Sequence, residues 1–316
     1  MAELMDGTKL AEDIKASVRV EVEALKKTGL NVGLAIMLIG DNPASKQYYY
    51  ATLKACKNVG IIPHEFRFSD DISVNEILNT INFINSDEKI HGLLILFPIP
   101  GRMDARRIVN ALSPEKDVDG LGAISVGRLS AEESIFQVTD RSKISTGTQE
   151  GHVTIPTFSG FLPCTPFGVM RLLEHHNVSM KGRHAVVIGK SLAVGKPLAL
   201  MLLYKEATVT VCHKETHDLA YFTKQADIVC SATGRTNLIT GDIIKNGAVV
   251  VDIGINVLAD GRIVGDVDFD SVSKKASLIT PVPGGVGPVT IAILLENTLR
   301  SAQRKEFLKS SSILTL

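Results

Sequence analysis

Strand-like apolar segments alternate with helical segments along almost the whole chain, and this alternation limits the possible folds more than any other feature. In the first half, strand candidates at 32–39, 61–68 and 90–97 are separated by segments of helical periodicity at 45–59 and 73–86. Short apolar runs such as 32–39 are typical of strands buried on both faces. Strands alternating with helices predict a parallel sheet with right-handed crossovers.

The alternation resumes in the second half of the chain. The predicted helices cover 166–176 and 196–204, and the predicted strands cover 184–188, 208–212, 227–231, 248–253 and 278–280. This pattern indicates a second, Rossmann-like sheet of the kind that binds nucleotides. A first helix at 6–27 and a last helix at 290–305 flank the two sheets, and we expect the last helix to pack back onto the first domain.

The fold class is therefore α/β, with an N-terminal parallel-sheet domain and a Rossmann-like domain. A polar stretch at 131–160, rich in Ser, Thr and Gly, separates the two. We predict a first domain at 1–125 that includes the C-terminal helix 288–305, a loop or insertion at 126–160, and a second domain at 161–287. A functional lid and a segment without a role are both open for the insertion.

Composition limits the partners and the compartment. The formal net charge is zero at pH 7, Trp is absent and aromatic residues make up 5%, which argues against nucleic acid or an anionic membrane as the partner. No apolar run is long enough to span a bilayer, and residues 1–15 resemble neither a signal peptide nor a transit peptide. The four cysteines form no C-x-x-C pair, so we expect reduced thiols, a cytoplasmic protein and no metal site.

A glycine-containing turn lies between the predicted strand 184–188 and the predicted helix 196–204. Its sequence at 189–197, Gly-Lys-Ser-Leu-Ala-Val-Gly-Lys-Pro, differs from the G-x-G-x-x-G fingerprint of dinucleotide-binding folds. Gly189 still allows close approach of the backbone to a ligand, and the following helix offers free N–H groups to a diphosphate. An ordinary turn between strand and helix is the alternative interpretation.

Basic residues near this turn bear on the choice of nucleotide. His213 and Lys214 follow the strand 208–212, where NAD-selective folds usually carry an acidic residue. Together with Lys190 they would suit a 2′-phosphate and favour NADP, with NAD as the alternative because Glu215 follows directly. Solvated surface charges are the simpler interpretation of the same residues.

Four further sequence motifs bear on the family to which the chain is similar. They are Asp-Asn-Pro-Ala-Ser at 41–45 with Tyr48 after it, Pro-Glu-Lys-Asp-Val-Asp-Gly-Leu at 114–121, Leu-Pro-Cys-Thr-Pro at 162–166, and Pro-Val-Pro-Gly-Gly-Val-Gly-Pro-Val-Thr at 281–290. In order and spacing they resemble the methylenetetrahydrofolate dehydrogenase/cyclohydrolase family of bacterial FolD type, over about residues 6–304. The resemblance implies a folate-binding first domain, a cofactor domain, a cleft between them and a homodimer built through the cofactor domain.

The resemblance also implies an activity and a set of site residues. The family oxidises 5,10-methylenetetrahydrofolate with NAD(P), and most members then hydrolyse the methenyl product to 10-formyltetrahydrofolate. In this sequence Tyr48 would stack on the folate and Asp119 would bind the pterin edge. The implied substrate-binding residues are Ser45, Tyr48, Pro98, Asp119, Pro283, Gly284, Gly285 and Pro288. The implied cofactor-binding residues are Gly189, Lys190, Ser191, Val194, Gly195, Pro197, His213, Lys214, Ala232, Thr233, Gly234, Gly254, Ile255 and Thr290. Asp266 and Lys116 are further candidates, with structural salt bridges as the alternative.

Two positions depart from the family pattern, and both concern hydrolysis. Thr52 stands where the family has the lysine four residues after Tyr48, and Leu96 replaces the glutamine of the third strand. Lys54 is six residues from Tyr48 and is predicted to point roughly 120° away from it. Neither Lys54 nor Lys46 is expected to replace the missing lysine.

We therefore predict a dehydrogenase of a small-molecule folate substrate whose cyclohydrolase activity is weak or lost. A complete bifunctional enzyme is one alternative, with another group in place of the lysine. A non-catalytic folate- or nucleotide-binding paralogue is a second, and an unrelated Rossmann dehydrogenase of amino or hydroxy acids is a third. Measured hydrolysis and nicotinamide reduction distinguish them.

Overall fold

A computed structural model describes residues 1–131 and 160–313, and side chains as far as residue 307. The strands are β1 (Glu3–Leu4), β2 (Gly33–Ile39), β3 (Ile62–Phe68), β4 (Gly92–Ile95), β5 (His184–Ile188), β6 (Thr208–Cys212), β7 (Ile228–Ser231), β8 (Val249–Asp252), β9 (Asn256–Val257), β10 (Ile263–Val264) and β11 (Leu278–Ile279). The helices are α1 (Gly7–Lys27), α2 (Pro43–Val59), α3 (Val74–Ser86), α4 (Ala105–Asn110), α5 (Ala123–Ala131), α6 (Cys164–His175), α7 (Gly195–Tyr204), α8 (Leu219–Thr223), α9 (Phe269–Val272) and α10 (Val286–Ile313).

The first sheet is small and wholly parallel. Its strand order is β3-β2-β4, and the central strand β2 is buried along its full length. Alternate residues of β2 therefore face two separate cores: Leu34, Ile36 and Leu38 belong to one apolar cluster, and Ala35 and Met37 to another. Burial on both faces explains the continuous apolar run in the sequence.

The second sheet is also parallel, with strand order β1-β11-β8-β7-β5-β6. The chain leaves β5 for β6 on one side and returns to β7 on the other side. Strand order thus reverses beside β5, and a crevice opens there at the carboxyl ends of the strands, where doubly wound folds bind nucleotides. The predicted α/β class with a Rossmann-like second domain is confirmed.

Local signals in the sequence account for the helix that later borders the site. Helix α2 begins with Pro43 in its first turn, and the Asn42 side chain accepts a hydrogen bond from the Ser45 N–H at 3.1 Å. The helix ends at Gly60, whose φ of 83° is the left-handed conformation of a helix C-terminus. Helix α3 begins with a capping box, in which the Ser73 and Glu76 side chains each accept a hydrogen bond from the other residue's N–H.

The two ends of the chain connect the domains. Strand β1 pairs with β11 of the second sheet, and α1, which follows directly, packs against α10. Helix α10 also packs against α6 of the second half, so it lies between the two domains. The placement of this helix in the first domain stays a prediction, as do the other domain bounds.

Several predicted bounds need correction. Residues 126–131 belong to helix α5, not to a loop, whereas the rest of the predicted insertion, 132–159, lies outside the described residues. Helix α10 begins at Val286 and continues to Ile313, beyond the predicted 290–305. The short helices α4, α8 and α9 and the strand β1 carry too few residues for a periodic signal. Over the described residues, no helix is both long and apolar enough to cross a bilayer.

Candidate functional site

A cavity of about 600 Å³ lies between the two domains. Its walls come from α1 and α2 of the first domain, from the ends of β8 and α7 of the second, and from the proline- and glycine-rich segment 281–288. Tyr48, Pro283, Gly284, Gly285 and Pro288 line this cavity, and so do Val194, Gly254, Ile255 and Thr290. Predicted substrate and cofactor residues thus share one space.

The segment 281–288 packs tightly against the start of α1. The Gly7 N–H donates to the Gly284 carbonyl at 2.9 Å, and a Cβ at Gly7 would lie 1.9 Å from the carbonyl oxygen of Gly285. Gly284 itself has φ of 111°, a conformation that side chains other than glycine rarely adopt. These contacts explain the glycines and fix the cavity wall to the first domain.

The face of α2 that borders the cavity is about 120° wide. Successive helical residues are 100° apart, so Tyr48 and Lys54 lie at opposite edges of this face, with Ala51 between them. The predicted angle of roughly 120° between Tyr48 and Lys54 agrees with this face, and Lys54 nevertheless lines the same cavity as Tyr48. Thr52 lies about 40° beyond Tyr48, on the buried side.

Tyr48, Asp119 and Cys164 form a polar cluster beneath the cavity. Burial raises the pKa of the Tyr48 hydroxyl well above its usual value, and Asp119 and Cys164 add to this rise. Burial also raises the pKa of Asp119 to about 7, with a further contribution from the neighbouring Asp117 and a smaller opposing one from hydrogen bonding to Cys164. Asp119 can therefore hold a proton near neutral pH.

Two of the recognised motifs meet at this cluster. A Cβ at Gly120 would lie 2.6 Å from the carbonyl carbon of Leu162 and 2.7 Å from the Pro163 nitrogen, so the 114–121 segment contacts the 162–166 segment directly. Asn297 of α10 donates from Nδ2 to the Val118 carbonyl at 2.8 Å and lies 3.5 Å from the Cys164 Sγ. Asn297 thereby fixes the peptide that precedes Asp119, a role that no sequence motif indicated.

The glycine turn lies at the crevice of the second sheet. Gly189 has φ of 117°, and its Cα packs so closely on the chain after β7 that a Cβ would lie 2.4 Å from the Ala232 carbonyl oxygen. A Cβ at Gly195 would lie 1.9 Å from the Gly189 carbonyl oxygen. The Ser191 hydroxyl accepts from the N–H groups of Val194 and Gly195, at 3.1 and 3.3 Å. The turn therefore presents bare backbone beside the N-terminus of α7.

Two buried carboxylates organise the neighbouring strand ends. Asp266 accepts from the Thr233 N–H and hydroxyl at 2.6 and 2.9 Å and from the Ser231 hydroxyl at 2.9 Å. Asp252 accepts from the Gly254 N–H at 3.0 Å and from the backbone of residues 266 and 267, and burial raises its pKa to about 6. The salt bridge considered for Asp266 is replaced by a hydrogen-bond network that shapes the 232–234 and 253–255 loops.

Comparison with known proteins gives the family. Residues 5–119 match the catalytic domain of tetrahydrofolate dehydrogenase/cyclohydrolase, and residues 163–306 match its NAD(P)-binding domain. The bifunctional protein FolD of Nautilia profundicola is 46% identical over 300 residues, 95% of this chain and 97% of that protein. This chain belongs to the tetrahydrofolate dehydrogenase/cyclohydrolase family.

Solved structures of family members share the whole architecture. The bifunctional FolD enzyme of Campylobacter jejuni is 44% identical with a TM-score of 0.84, and the alignment covers 96% of this chain and 100% of the other. The Trypanosoma brucei enzyme, solved with NADP and an inhibitor, is 32% identical with the same TM-score, over 96% and 98% of the two chains. The predicted family, its enzyme class and its nicotinamide cofactor are confirmed.

Thr52 and Leu96, where the sequence analysis expected a departure from the family pattern, lie in the interior. Thr52 is fully buried, and its hydroxyl donates to the Tyr48 carbonyl at 2.8 Å, within its own helix. Leu96 is 3% exposed and packs in the main apolar cluster. Neither side chain lines the cavity. The aromatic, proline-glycine and cofactor-side walls thus line the cavity, whereas Thr52 and Leu96 are packed in the interior.

Ser45, Pro98 and Lys116 are not among the residues that line the cavity. The Ser45 hydroxyl donates to the Phe97 carbonyl at 2.8 Å and so holds α2 against the segment that carries Pro98. Lys116 donates to the carbonyls of Ile84 and Asp87, and burial lowers its pKa to about 8. The salt-bridge alternative for Lys116 is thus replaced by bonds to backbone.

The predicted basic group lies at the ends of neighbouring strands. Ile188 of β5 pairs with Cys212 of β6, so Lys190 and Lys214, each two residues further along, leave the same edge of the sheet. Lys214 forms an exposed salt bridge with Glu215 at 3.5 Å, and the His213 Nδ1 accepts from the Glu215 N–H at 3.3 Å. Both lysines are exposed beside the nucleotide crevice.

Polar residues of the cavity lining that the sequence analysis did not assign to the site include Lys15, Gln47, Asn58, Thr165 and Asp252. Lys15 lies on α1, which the resemblance did not associate with the site, and its position follows only from the packing of α1 beside α2. Asp252 ends a buried strand and could have been suspected from that place alone. Within the described residues no group of three or more His, Cys, Asp or Glu side chains could hold a metal ion.

Proposed function

We propose that this protein oxidises 5,10-methylenetetrahydrofolate to 5,10-methenyltetrahydrofolate by hydride transfer to a nicotinamide nucleotide. One observation carries the proposal: Tyr48 and the 281–288 segment share a single cavity with Gly254, Ile255 and Thr290 of the cofactor side. A folate and a nicotinamide ring bound to these walls would be adjacent. Hydride transfer depends chiefly on such proximity in a site from which water is excluded.

The first-domain residues would bind and orient the folate. The Tyr48 ring offers a flat apolar face, and its hydroxyl remains protonated because burial raises its pKa. Asp119, with its pKa near 7, can bind the pterin edge either as an acceptor or, when protonated, as a donor. The rigid 281–288 segment closes the opposite side.

The glycine turn fits a dinucleotide, since bare backbone at Gly189 and Gly195 stands beside a helix N-terminus at the strand-order reversal. Gly189, Ser191 and Gly195 would hold the diphosphate, and the 232–234 and 253–255 loops would hold the nicotinamide half. When bound, the nucleotide supplies the hydride acceptor. Lys190 and Lys214 would contact a 2′-phosphate, so we favour NADP over NAD.

The hydrolytic half of the family's chemistry would be weak or lost. Hydrolysis of the methenyl group needs a group that moves protons and a group that orients water. Thr52 bonds to its own helix backbone and Leu96 has no polar atom, so neither position can serve. Lys54 is about 9 Å further along the helix axis than Tyr48 and at the opposite edge of the face.

Paired assays on the purified protein test this function. Mixing with methylenetetrahydrofolate should produce reduced nicotinamide, faster with NADP than with NAD at equal concentrations. Methenyltetrahydrofolate should decay at the same rate with and without protein at neutral pH. Absence of nicotinamide reduction would point to the non-catalytic paralogue, and protein-accelerated decay would contradict the loss of cyclohydrolase.

The complete bifunctional enzyme is the second candidate because Lys54 does border the cavity. If the parent protein hydrolyses the methenyl substrate, Lys54→Met should abolish that activity. If it does not, the double variant Thr52→Lys with Leu96→Gln should introduce hydrolysis, with a rate increase of about 100-fold or more expected for a positioned proton-transfer group. Both substitutions enter packed positions, so thermal unfolding must show that the variant is folded.

Two further observations support proposals about the assembly and the compartment. Strand β6 is an edge of the second sheet, and Val211 on it and Leu203 on α7 are 40% and 58% exposed. Pairing of this edge across a two-fold axis would give a homodimer through the cofactor domain. Leu203→Glu with Val211→Glu should then yield a monomer in light scattering. Four free, buried cysteines suit a reducing compartment such as the cytoplasm.

A further inference from the structure

A second cavity, of about 370 Å³, lies at the amino ends of the strands of the second sheet. Its lining consists of residues 176–179, 183, 227–228, 245–249 and 277–278, and we call it the amino-end cavity. The nucleotide crevice borders the carboxyl ends of the same strands, so Arg183 and Gly189 are about 20 Å apart along β5. We propose that the amino-end cavity binds a nucleoside monophosphate, with the phosphate beside Arg183 and the base beside His176.

Strand register gives the length of this cavity. Successive partners in neighbouring strands form one row across the sheet: Ala185, Ile228, Val249 and Leu278. Neighbouring strands are about 4.8 Å apart, so the row is about 14 Å long. Arg183 lies just before the β5 end of the row, and Leu278 forms the β11 end. The cavity is therefore elongated, and Ile228 and Val249 give it an apolar middle.

The β5 end of the cavity is positively charged. The Lys245 Nζ forms an ion pair with one Asp227 oxygen at 2.6 Å, and the other oxygen accepts from the His184 N–H at 3.0 Å. Hydrogen bonding to Lys245 lowers the pKa of Asp227, and the charge of Arg183 adds to this effect. Among the described residues, the Arg183 guanidinium has no hydrogen bond and no ion pair. A guanidinium with unused donors is suited to a phosphate.

The β11 end of the cavity offers hydrogen-bonding groups without charge. His176 lines the cavity, and its Nε2 is buried without a hydrogen-bond partner in the described part of the chain. Burial lowers the pKa of His176, as does the neighbouring His175, so the ring is neutral at pH 7. Glu3 and Asp6 act in the opposite direction, which places His176 near β1, the neighbour of β11. A buried ring nitrogen costs stability unless a ligand or water bonds to it.

A nucleoside monophosphate matches both ends and the middle of the cavity. Its phosphate would accept two hydrogen bonds from the planar Arg183 guanidinium. Its base would lie along the apolar middle, with polar atoms toward the His176 ring and the amides of Asn177 and Asn246, which also line the cavity. The carbonyls of the last α6 turn already accept from the N–H groups of residues 176–178, so they are not free to repel the ligand.

NMR spectra of the histidine side chains in the whole protein test the proposal, with adenosine monophosphate, adenosine and inorganic phosphate as probes. Adenosine monophosphate should shift the His176 ring signal until it saturates, and the signal is assigned by its absence from His176→Phe. Adenosine, and phosphate measured as a competitor, should each bind about 10-fold more weakly, because each lacks the group that one end of the cavity holds.

Two variants separate the two ends. Arg183→Met should weaken binding of adenosine monophosphate about 10-fold and leave adenosine binding unchanged, because only the phosphate loses its donor. His176→Phe keeps a ring but lacks Nε2, and calorimetry should show about 5-fold weaker binding of adenosine monophosphate at the site that Arg183→Met affects. The matched controls are Arg107→Met and His175→Phe, because both residues are exposed and neither lines the cavity.

Each result either supports or overturns the inference. A His176 signal that does not move at millimolar adenosine monophosphate, or equal affinity in the parent protein and Arg183→Met, would overturn it. Phosphate that binds as tightly as adenosine monophosphate would show a simple anion site, and adenosine that binds as tightly would remove the role of Arg183. None of these measurements needs turnover, so they are independent of the proposed folate reaction.

Discussion

The buried carboxyl of Asp119 leads to a prediction in which stability and function change in opposite directions. Its pKa is about 7 instead of the usual 3.8, first because of burial and second because of Asp117. Below pH 3.8 the group is protonated in both the folded and the unfolded protein. Between pH 3.8 and 7 only the unfolded protein loses the proton, so the folded state loses relative stability as pH rises. Asp119→Asn removes this penalty.

The magnitude follows from the two pKa values. Each tenfold difference in proton affinity corresponds to about 1.4 kcal/mol, which gives an upper limit of about 4 kcal/mol above pH 7. Asp119 is partly exposed, and solvent screening reduces the expected gain to about 2 kcal/mol. The variant should therefore gain stability over the parent as pH rises from 4 to 7, and the gain should level off above pH 7.

Urea unfolding of both proteins at several pH values measures this difference, with the substrate absent. Asp13→Asn, on the exposed side of α1, serves as the control and should show no such trend. The same Asp119→Asn protein should lose at least 10-fold in kcat/KM for the folate, since it lacks the carboxylate. A stability difference that is constant with pH would refute the assignment of a raised pKa, because an Asp119 already ionised near pH 4 gives no such slope.

Three other substitutions test the architecture of the site. Asp266→Asn replaces a carboxylate oxygen that accepts three hydrogen bonds. The free energy of unfolding should therefore fall by about 3 kcal/mol, and the Kd for NADP should rise at least 10-fold. An unaltered Kd would contradict the role given to the network. Asn297→Leu removes the donor to the Val118 carbonyl, and about 2 kcal/mol of stability and 10-fold in kcat/KM should be lost, as shown by urea unfolding and initial rates. Gly189→Ala places a methyl group against the Ala232 carbonyl. The Kd for NADP, measured in a binding titration, should therefore rise by 10-fold or more. An unchanged affinity would show that the turn can open at little cost in free energy.

Much of the fold could be predicted because its strands carry strong local signals. Strand β2 is apolar at every position because both of its faces are buried, and α2 carries its own start and stop residues at Asn42 and Gly60. Strand β1 has only two residues, both exposed, and exists because β11 offers a free edge. No local pattern could have indicated it.

The candidate site likewise contains residues that sequence motifs reveal and residues that only the packing of the chain reveals. Tyr48 and the 281–288 segment were recognisable from their motifs, whereas Lys15 reaches the cavity only through the packing of α1 on α2. The position of Lys54 shows the limit of a helical wheel, which gives the angle between two side chains but not the width of the face that a cavity occupies. Asn297 acts across 179 positions of sequence, a separation that no periodicity reports.

The pairing of β1 with β11 has a consequence for how the protein is made. Glu3 lies beside Leu278, so β1 cannot join the sheet until the chain has been made as far as β11. The first domain can form its own small sheet earlier, but α1 packs on α10, which comes still later. Completion of the second sheet and enclosure of the first core therefore both depend on the segment that carries β11 and α10. A fusion partner placed before Met1 would emerge beside the edge of the cofactor sheet, not beside the domain it precedes in sequence.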